Sequence, residues 1–240
     1  MNETTDINYP FKTGLSEKKD ITEGSFSEIK QFQDDDRWVV KEYSQVMDFA
    51  LGEWEMTAKK DSEKVGLPPE MTWNRFKEQI KKDDDLLNRF GKGLRKFIPD
   101  HHLVFGANDK GEKRGFVAMK RVLGEDVEKM AQVPEGLIEQ LEELITESVE
   151  FYRQSNLDPI SKGLFPDLLP IQEDDNLRFG NLMWGKVGDR EGLFLTDIYP
   201  LRHFSDPDTL AMDLGIMMKI FELEKGVKFS AGFIERIVGE

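Results

Sequence analysis

The residues best suited to chemistry lie between 173 and 199. The chain there reads Glu-Asp-Asp-Asn-Leu-Arg-Phe-Gly-Asn-Leu-Met-Trp-Gly and closes on Leu-Phe-Leu-Thr-Asp-Ile-Tyr. The pattern predicts a short apolar strand, Leu182–Trp184, a loop over Gly185–Gly192, and a second apolar strand, Leu193–Thr196. Asn181 stands just before the first strand and Asp197 just after the second. Antiparallel neighbours lie about 4.8 Å apart, so such a ribbon holds both residues at one end. An amide oxygen and a carboxylate are hard donors. Together they suit Mg²⁺, which takes one or two protein ligands and completes its shell with phosphate oxygens and water.

The elements that must position this pair can be followed along the chain. Leu15 to Tyr43 reads as three short strands joined by tight turns, the second turn at Asp34–Asp36, because Val, Ile, Trp and Tyr favour strands. A helical period runs over residues 45–60 through Met47, Leu51, Trp54 and Ala58. Another runs from Trp73 to Phe97, where the run Asp83–Asp85 predicts a bend or break. Strands are expected over His101–Gly106 and Gly115–Val122, around a turn at Asn108–Gly111. His101 and His102 are neighbours on a strand, point to opposite faces and so cannot readily chelate one ion. Residues 134–155 carry the clearest helix, with an apolar stripe from Leu137 to Tyr152 and glutamates opposite. Thr209–Leu223 predicts a buried helix rich in methionine.

Composition removes several functions. A formal net charge of −14 argues against a general nucleic-acid binder, although Lys92–Lys96 forms a small local basic stretch. The absence of cysteine excludes disulfides, thiolate zinc sites and cysteine nucleophiles. The N-terminus lacks the basic and apolar regions of a signal peptide, and no apolar run approaches the roughly 18 residues of a membrane span. A soluble, cytoplasmic protein without nucleic-acid or membrane partners is expected.

The order of polar loop, Asn181, strand, loop, strand and Asp197 resembles the catalytic and metal-binding segments of protein kinase-like phosphotransferases, a superfamily that includes aminoglycoside and choline kinases. The resemblance implies an α+β, two-lobed protein kinase-like fold. Residues 1–123 would form a small antiparallel-sheet N-lobe, and residues 124–240 a mostly helical C-lobe. It also implies ATP and Mg²⁺ as cofactors. Thr22–Ile29 is similar to the glycine-rich loop, so Gly24, Ser25 and Phe26 would bring backbone amides to the phosphates. Lys41, ending the strand Trp38–Val40, matches the strand lysine that contacts the α- and β-phosphates. Glu78, with Asp85 second, would be its acidic helix partner, and Arg121 and Val122 would present backbone groups to adenine. Asn181 and Asp197 would hold the metal. Counting back five residues from Asn181 places Asn176 where the family carries its catalytic Asp, with Asp175 one position earlier; this pair would serve the acceptor hydroxyl.

Three functions remain open on the sequence. The first is an ATP/Mg-dependent phosphotransferase acting on an unknown small-molecule or protein acceptor. The second is a catalytically inactive pseudokinase that binds nucleotide or acts as a scaffold; Asn176 and the sparse glycines of the first turn favour it. The third is an acidic α+β interaction domain in which Asn181 and Asp197 only cap turns.

Overall fold

The computed structural model describes residues 15–16, 27–32, 37–43, 69–107, 113–160, 181–198, 201–203 and 207–239. The chain is a mixed α+β protein. It divides into two compact units, Met1–Lys82 with Pro99–Arg121 and Asp83–Ile98 with Val122–Glu240. The helical period expected over residues 45–60 lies outside the described residues.

The first unit carries a five-stranded antiparallel sheet. Its strands are β1 (Leu15–Ser16), β2 (Ser27–Phe32), β3 (Trp38–Tyr43), β4 (His101–Ala107) and β5 (Lys113–Lys120), in the order β1-β2-β3-β5-β4. The β-branched and aromatic runs read from the sequence are the ones that pair. In the interior strand β5, Val117, Ala118 and Met119 are all buried. Successive strand residues face opposite ways, so β5 is covered on both faces there. The small Ala118 has a further use. It pairs with His102 on one side, and Lys120, two residues on, pairs with Trp38 on the other. These side chains share a face, and the Trp38 and His102 rings stack across Ala118 with centroids 5.5 Å apart. His101 is half-buried, with Nδ1 3.1 Å from the Pro99 carbonyl oxygen, so the two histidines serve separate structural contacts.

Helix α1, Pro69–Phe90, opens on a proline, which is well tolerated in a first helical turn. It runs unbroken through Asp83–Asp85, so the expected break is not formed there. The acidic run is absorbed by partners. Asp83 points inward, and Asp84 accepts hydrogen bonds from Asn88 at 3.1 Å and Arg95 at 3.2 Å; only Asp85 is exposed. The boundary between the units falls within this helix, between Lys82 and Asp83. A 3-10 helix at Leu94–Phe97 follows, and it ends the longer helical pattern expected up to Phe97.

The second unit is built on α2, Leu137–Ser155, whose buried stripe is Leu137, Leu141, Leu144, Ile145, Val149 and Tyr152, as the sequence period requires. Burying each such side chain contributes about 1.5–3 kcal/mol. Gly136 before the helix and Asn156 after it both have positive φ, +85° and +59°, conformations that glycine and asparagine tolerate.

Beside α2 lies a three-stranded antiparallel sheet in the order β6-β8-β9, formed by β6 (Leu123–Asp126), β8 (Leu182–Val187) and β9 (Arg190–Leu195). Strands β8 and β9 are longer than expected. The residues read as a loop, Gly185–Gly192, mostly continue the ladder, and the turn is only Gly188–Asp189, with Gly188 at φ +60°. Glycine at the first central position of a two-residue hairpin supplies that positive φ. Gly185 pairs with Gly192 on one side and Gly124 on the other, so these glycines serve close strand approach. Val122, Val187 and Phe194 form a core cluster joined by Met183.

Strand β7 (Leu157–Asp158) pairs antiparallel with β10 (Arg202–His203). Helices α3 (Pro207–Lys225) and α4 (Phe233–Val238) complete the unit. Helix α3 buries Leu210, Leu214, Met217, Met218 and Phe221. It also leaves Met212, Ile216 and Leu223 exposed, so the expected all-buried helix has one open face. No described helix is long and apolar enough to cross a membrane.

Candidate functional site

The register of the β8–β9 ribbon places the candidate metal ligands. Leu182 pairs with Leu195, so Asn181 and Thr196 are the next facing positions outward. Thr196 donates twice to the Asn181 carbonyl oxygen, from its backbone N–H at 2.8 Å and from Oγ1 at 3.1 Å. Asp197 is the residue after this clasp. Asn181 and Asp197 therefore lie at one end of the ribbon, on one unit, as strand geometry required. Threonine is well chosen for the clasp, because its short hydroxyl reaches the carbonyl that its own N–H already binds.

The ribbon end is held firmly. Leu182, Leu193, Phe194, Leu195 and Ile198 are all buried, and α2 reaches across to the same strand. Gln140 on α2 accepts a hydrogen bond from the Leu193 N–H through Oε1 at 2.8 Å. That side chain fills the space a Cβ on Gly192 would take. Asn181 and Asp197 are themselves half-buried, and Oδ1 of Asp197 is enclosed. Both residues also take part in interactions of their own.

The donor set fits Mg²⁺ in type and number: one amide oxygen and one carboxylate, both hard. No cluster of three or more His, Asp or Glu side chains arranged for a metal occurs among the described residues. A donor-rich site of the calcium or zinc kind is therefore not formed by them.

The other candidate residues fall in several places. Lys41 is on β3, with its backbone opposite Ile29 on one side and Val117 on the other. Its side chain lies outside the described residues. Glu78 is an exposed position of α1 in the same unit, and Asp85 is exposed further along that helix. Arg121 follows β5 and donates its N–H to the Arg37 carbonyl at 2.6 Å, extending the β3–β5 ladder. An adenine edge would have to be met by a different group of this segment. The Val122 side chain is committed to the core of the second unit. Gly24, Ser25, Phe26, Asp175 and Asn176 lie outside the described residues. In the basic stretch Lys92–Lys96, Arg95 pairs with Asp84 and Lys96 with Glu143, which removes part of its positive field.

One residue tied to the segment after the site was not singled out from the sequence as a site residue. Asp83 is fully buried, and its Oδ2 accepts a hydrogen bond from the Leu201 N–H at 3.0 Å, four residues beyond Asp197. The available signal was helical spacing. Asp83 follows Ile80 by three and precedes Leu87 by four, which puts it on the apolar face those residues define. Glu78 is off that face.

Compared with known proteins, the sequence matches no family model and no curated protein.

Proposed function

We propose that the chain is an ATP- and Mg²⁺-dependent phosphotransferase of the protein kinase-like kind, acting in the cytoplasm on a hydroxyl of a small molecule or protein. The observation that carries this reading is the placement of Asn181 and Asp197 at one end of the β8–β9 ribbon, joined through Thr196. Support comes from Lys41, which lies on the third strand of an antiparallel sheet, the element that carries the phosphate-contacting lysine in protein kinases. Helix α1 follows that strand and carries Glu78.

Asn181 and Asp197 are the residues that would hold Mg²⁺, and the bound ion supplies neutralisation of phosphate charge. Lys41 steadies the α- and β-phosphates. Gly24, Ser25 and Phe26 give backbone amides to the phosphates, and Arg121 and Val122 give main-chain groups near the base. Asp175 accepts the proton of the attacking hydroxyl as its oxygen bonds to the γ-phosphorus and the bond to the departing ADP breaks. Asn176 orients that hydroxyl, since a neutral amide cannot take the proton. Phosphoryl transfer depends mainly on positioning and charge stabilisation, so removing the base lowers the rate by about 10²–10⁴-fold and leaves a residue of activity.

Asn176 at the expected base position favours a second reading, a pseudokinase that binds nucleotide without turning it over. Release of phosphate from γ-labelled ATP, with water as acceptor, separates the two. Turnover in the wild type that falls at least about 100-fold in Asp175→Ala supports the enzyme. Nucleotide binding with no turnover supports the pseudokinase. Absence of both leaves an acidic interaction domain.

A further inference from the structure

We infer that Asp83 is a positioning residue for Asp197, acting through the backbone hydrogen bond it accepts at Leu201, four residues downstream of the metal-site carboxylate. The inference rests on reading Asn181 and Asp197 as the Mg²⁺ ligands.

Asp197 sits between two anchors. Upstream, Thr196 binds the Asn181 carbonyl through its N–H and its hydroxyl. Downstream, the Leu201 N–H donates to Oδ2 of Asp83. The side chains of Ile198 and Leu201 are both buried, and the next two residues, Arg202 and His203, pair with Asp158 and Leu157. A hydrogen bond thus holds the backbone on each side of Asp197, at Thr196 and at Leu201.

Burying a carboxylate is costly unless hydrogen bonds replace its water, and Asp83 is 0% exposed. An apolar side chain would fill this place on the Ile80–Leu87 face at lower cost, so a carboxylate here must earn its position through its contacts. The hydrogen bond to Asp83 ties the Leu201 backbone to a helix 118 residues earlier in the sequence. Residues that orient a metal ligand typically change metal affinity by about 10–100-fold when removed.

The test uses the full chain, with Asp83→Ala and Asp83→Asn, and reads two quantities. The first is the affinity for ATP in MgCl₂ and, separately, in EDTA. The second is hydrogen exchange at the Leu201 amide. Asp83→Ala is expected to weaken ATP binding in MgCl₂ by about 10–100-fold while changing binding in EDTA by less than about twofold. Exchange at Leu201 should accelerate at least about tenfold. Asp83→Asn keeps an acceptor of the same shape, so it should recover most of both quantities. If Asp83→Ala fails to fold, Asp83→Leu, which fills the apolar face without offering an acceptor, is read in its place with the same expected losses. Equal losses in MgCl₂ and EDTA would reveal a merely structural residue and overturn the inference. So would a variant without an acceptor at position 83 that matches the wild type. A wild type that gains no ATP affinity from Mg²⁺ would instead remove the metal-site reading, and the inference with it.

Discussion

Replacing Gly185 by alanine should destabilise the second unit, because Gly185 faces Gly124 across the β6–β8 ladder. A Cβ built on Gly185 would lie 2.5 Å from the Leu123 carbonyl oxygen and 2.7 Å from the Gly124 Cα. One on Gly124 would meet the Trp184 carbonyl oxygen more closely still. Unbonded carbons are most comfortable at about 3.5–4.0 Å, so the strands must separate by roughly 1 Å. The obstructing atoms are backbone, and no side-chain rotation can relieve them. Overpacking of this kind costs about 1–3 kcal/mol, and each weakened ladder hydrogen bond adds about 1 kcal/mol. The loss of unfolded-chain freedom returns about 0.4–1 kcal/mol. The net is a destabilisation of about 2 kcal/mol, or a fall of roughly 4–8 °C in Tm for a chain of this size. Gly188 is the control. It has φ +60° but nothing within 4 Å of its Cβ position, so Gly188→Ala meets only left-handed strain of about 1–2 kcal/mol, partly offset by the same entropy gain to a net cost of about 1 kcal/mol or less. Urea and thermal unfolding followed by circular dichroism compare the two. If Gly185→Ala costs no more than Gly188→Ala, the close approach of β6 and β8 is refuted.

Two further perturbations follow from buried polar contacts in the second unit. Burial pushes the Glu222 carboxyl up, but the Phe229 N–H at 3.0 Å, then Lys228 and Lys219, outweigh it and hold the group below the usual glutamate range. A carboxyl depressed in the folded state adds stability that is complete above the ordinary glutamate pKa and is lost as pH falls through the folded-state value. The stability gap between wild type and Glu222→Gln should therefore narrow between pH 7 and pH 3 in urea unfolding; a pH-independent gap would contradict this. Lys225 donates to the carbonyls of Glu128 at 2.7 Å and Met130 at 3.0 Å, tying the end of α3 to the segment after β6. Lys225→Met should cost about 2–3 kcal/mol in the same assay, since it strands two acceptors of charged hydrogen bonds, and a loss below about 0.5 kcal/mol would show that water replaces the ammonium.

Elements governed by local periodicity were legible in the sequence, and those governed by distant partners were not. The α2 stripe and the β4–β5 hairpin follow from spacings of a few residues. The facing of Asn181 and Thr196 follows from hairpin register alone. Gly185 and Gly192 read as loop residues because glycine usually marks one. Their actual use, close approach to β6 and to Gln140, depends on elements tens of residues away. Asp83–Asp85 read as a helix breaker because the partners that absorb two of these charges, Leu201 and Arg95, are invisible to a local window. In α3, the apolar sequence concealed an open face at Met212, Ile216 and Leu223, because hydrophobicity all round a helix does not say which side meets the core.

The central claim is that Asn181 and Asp197 form a nucleotide-linked Mg²⁺ site at the end of the β8–β9 ribbon. Calorimetric titration of ATP into wild type and Asp197→Ala, each with and without MgCl₂, tests it most directly. The account predicts wild-type binding that strengthens with Mg²⁺ and a variant in which that gain disappears while the fold is retained. Wild-type binding indifferent to Mg²⁺, or no binding at millimolar ATP, would contradict it.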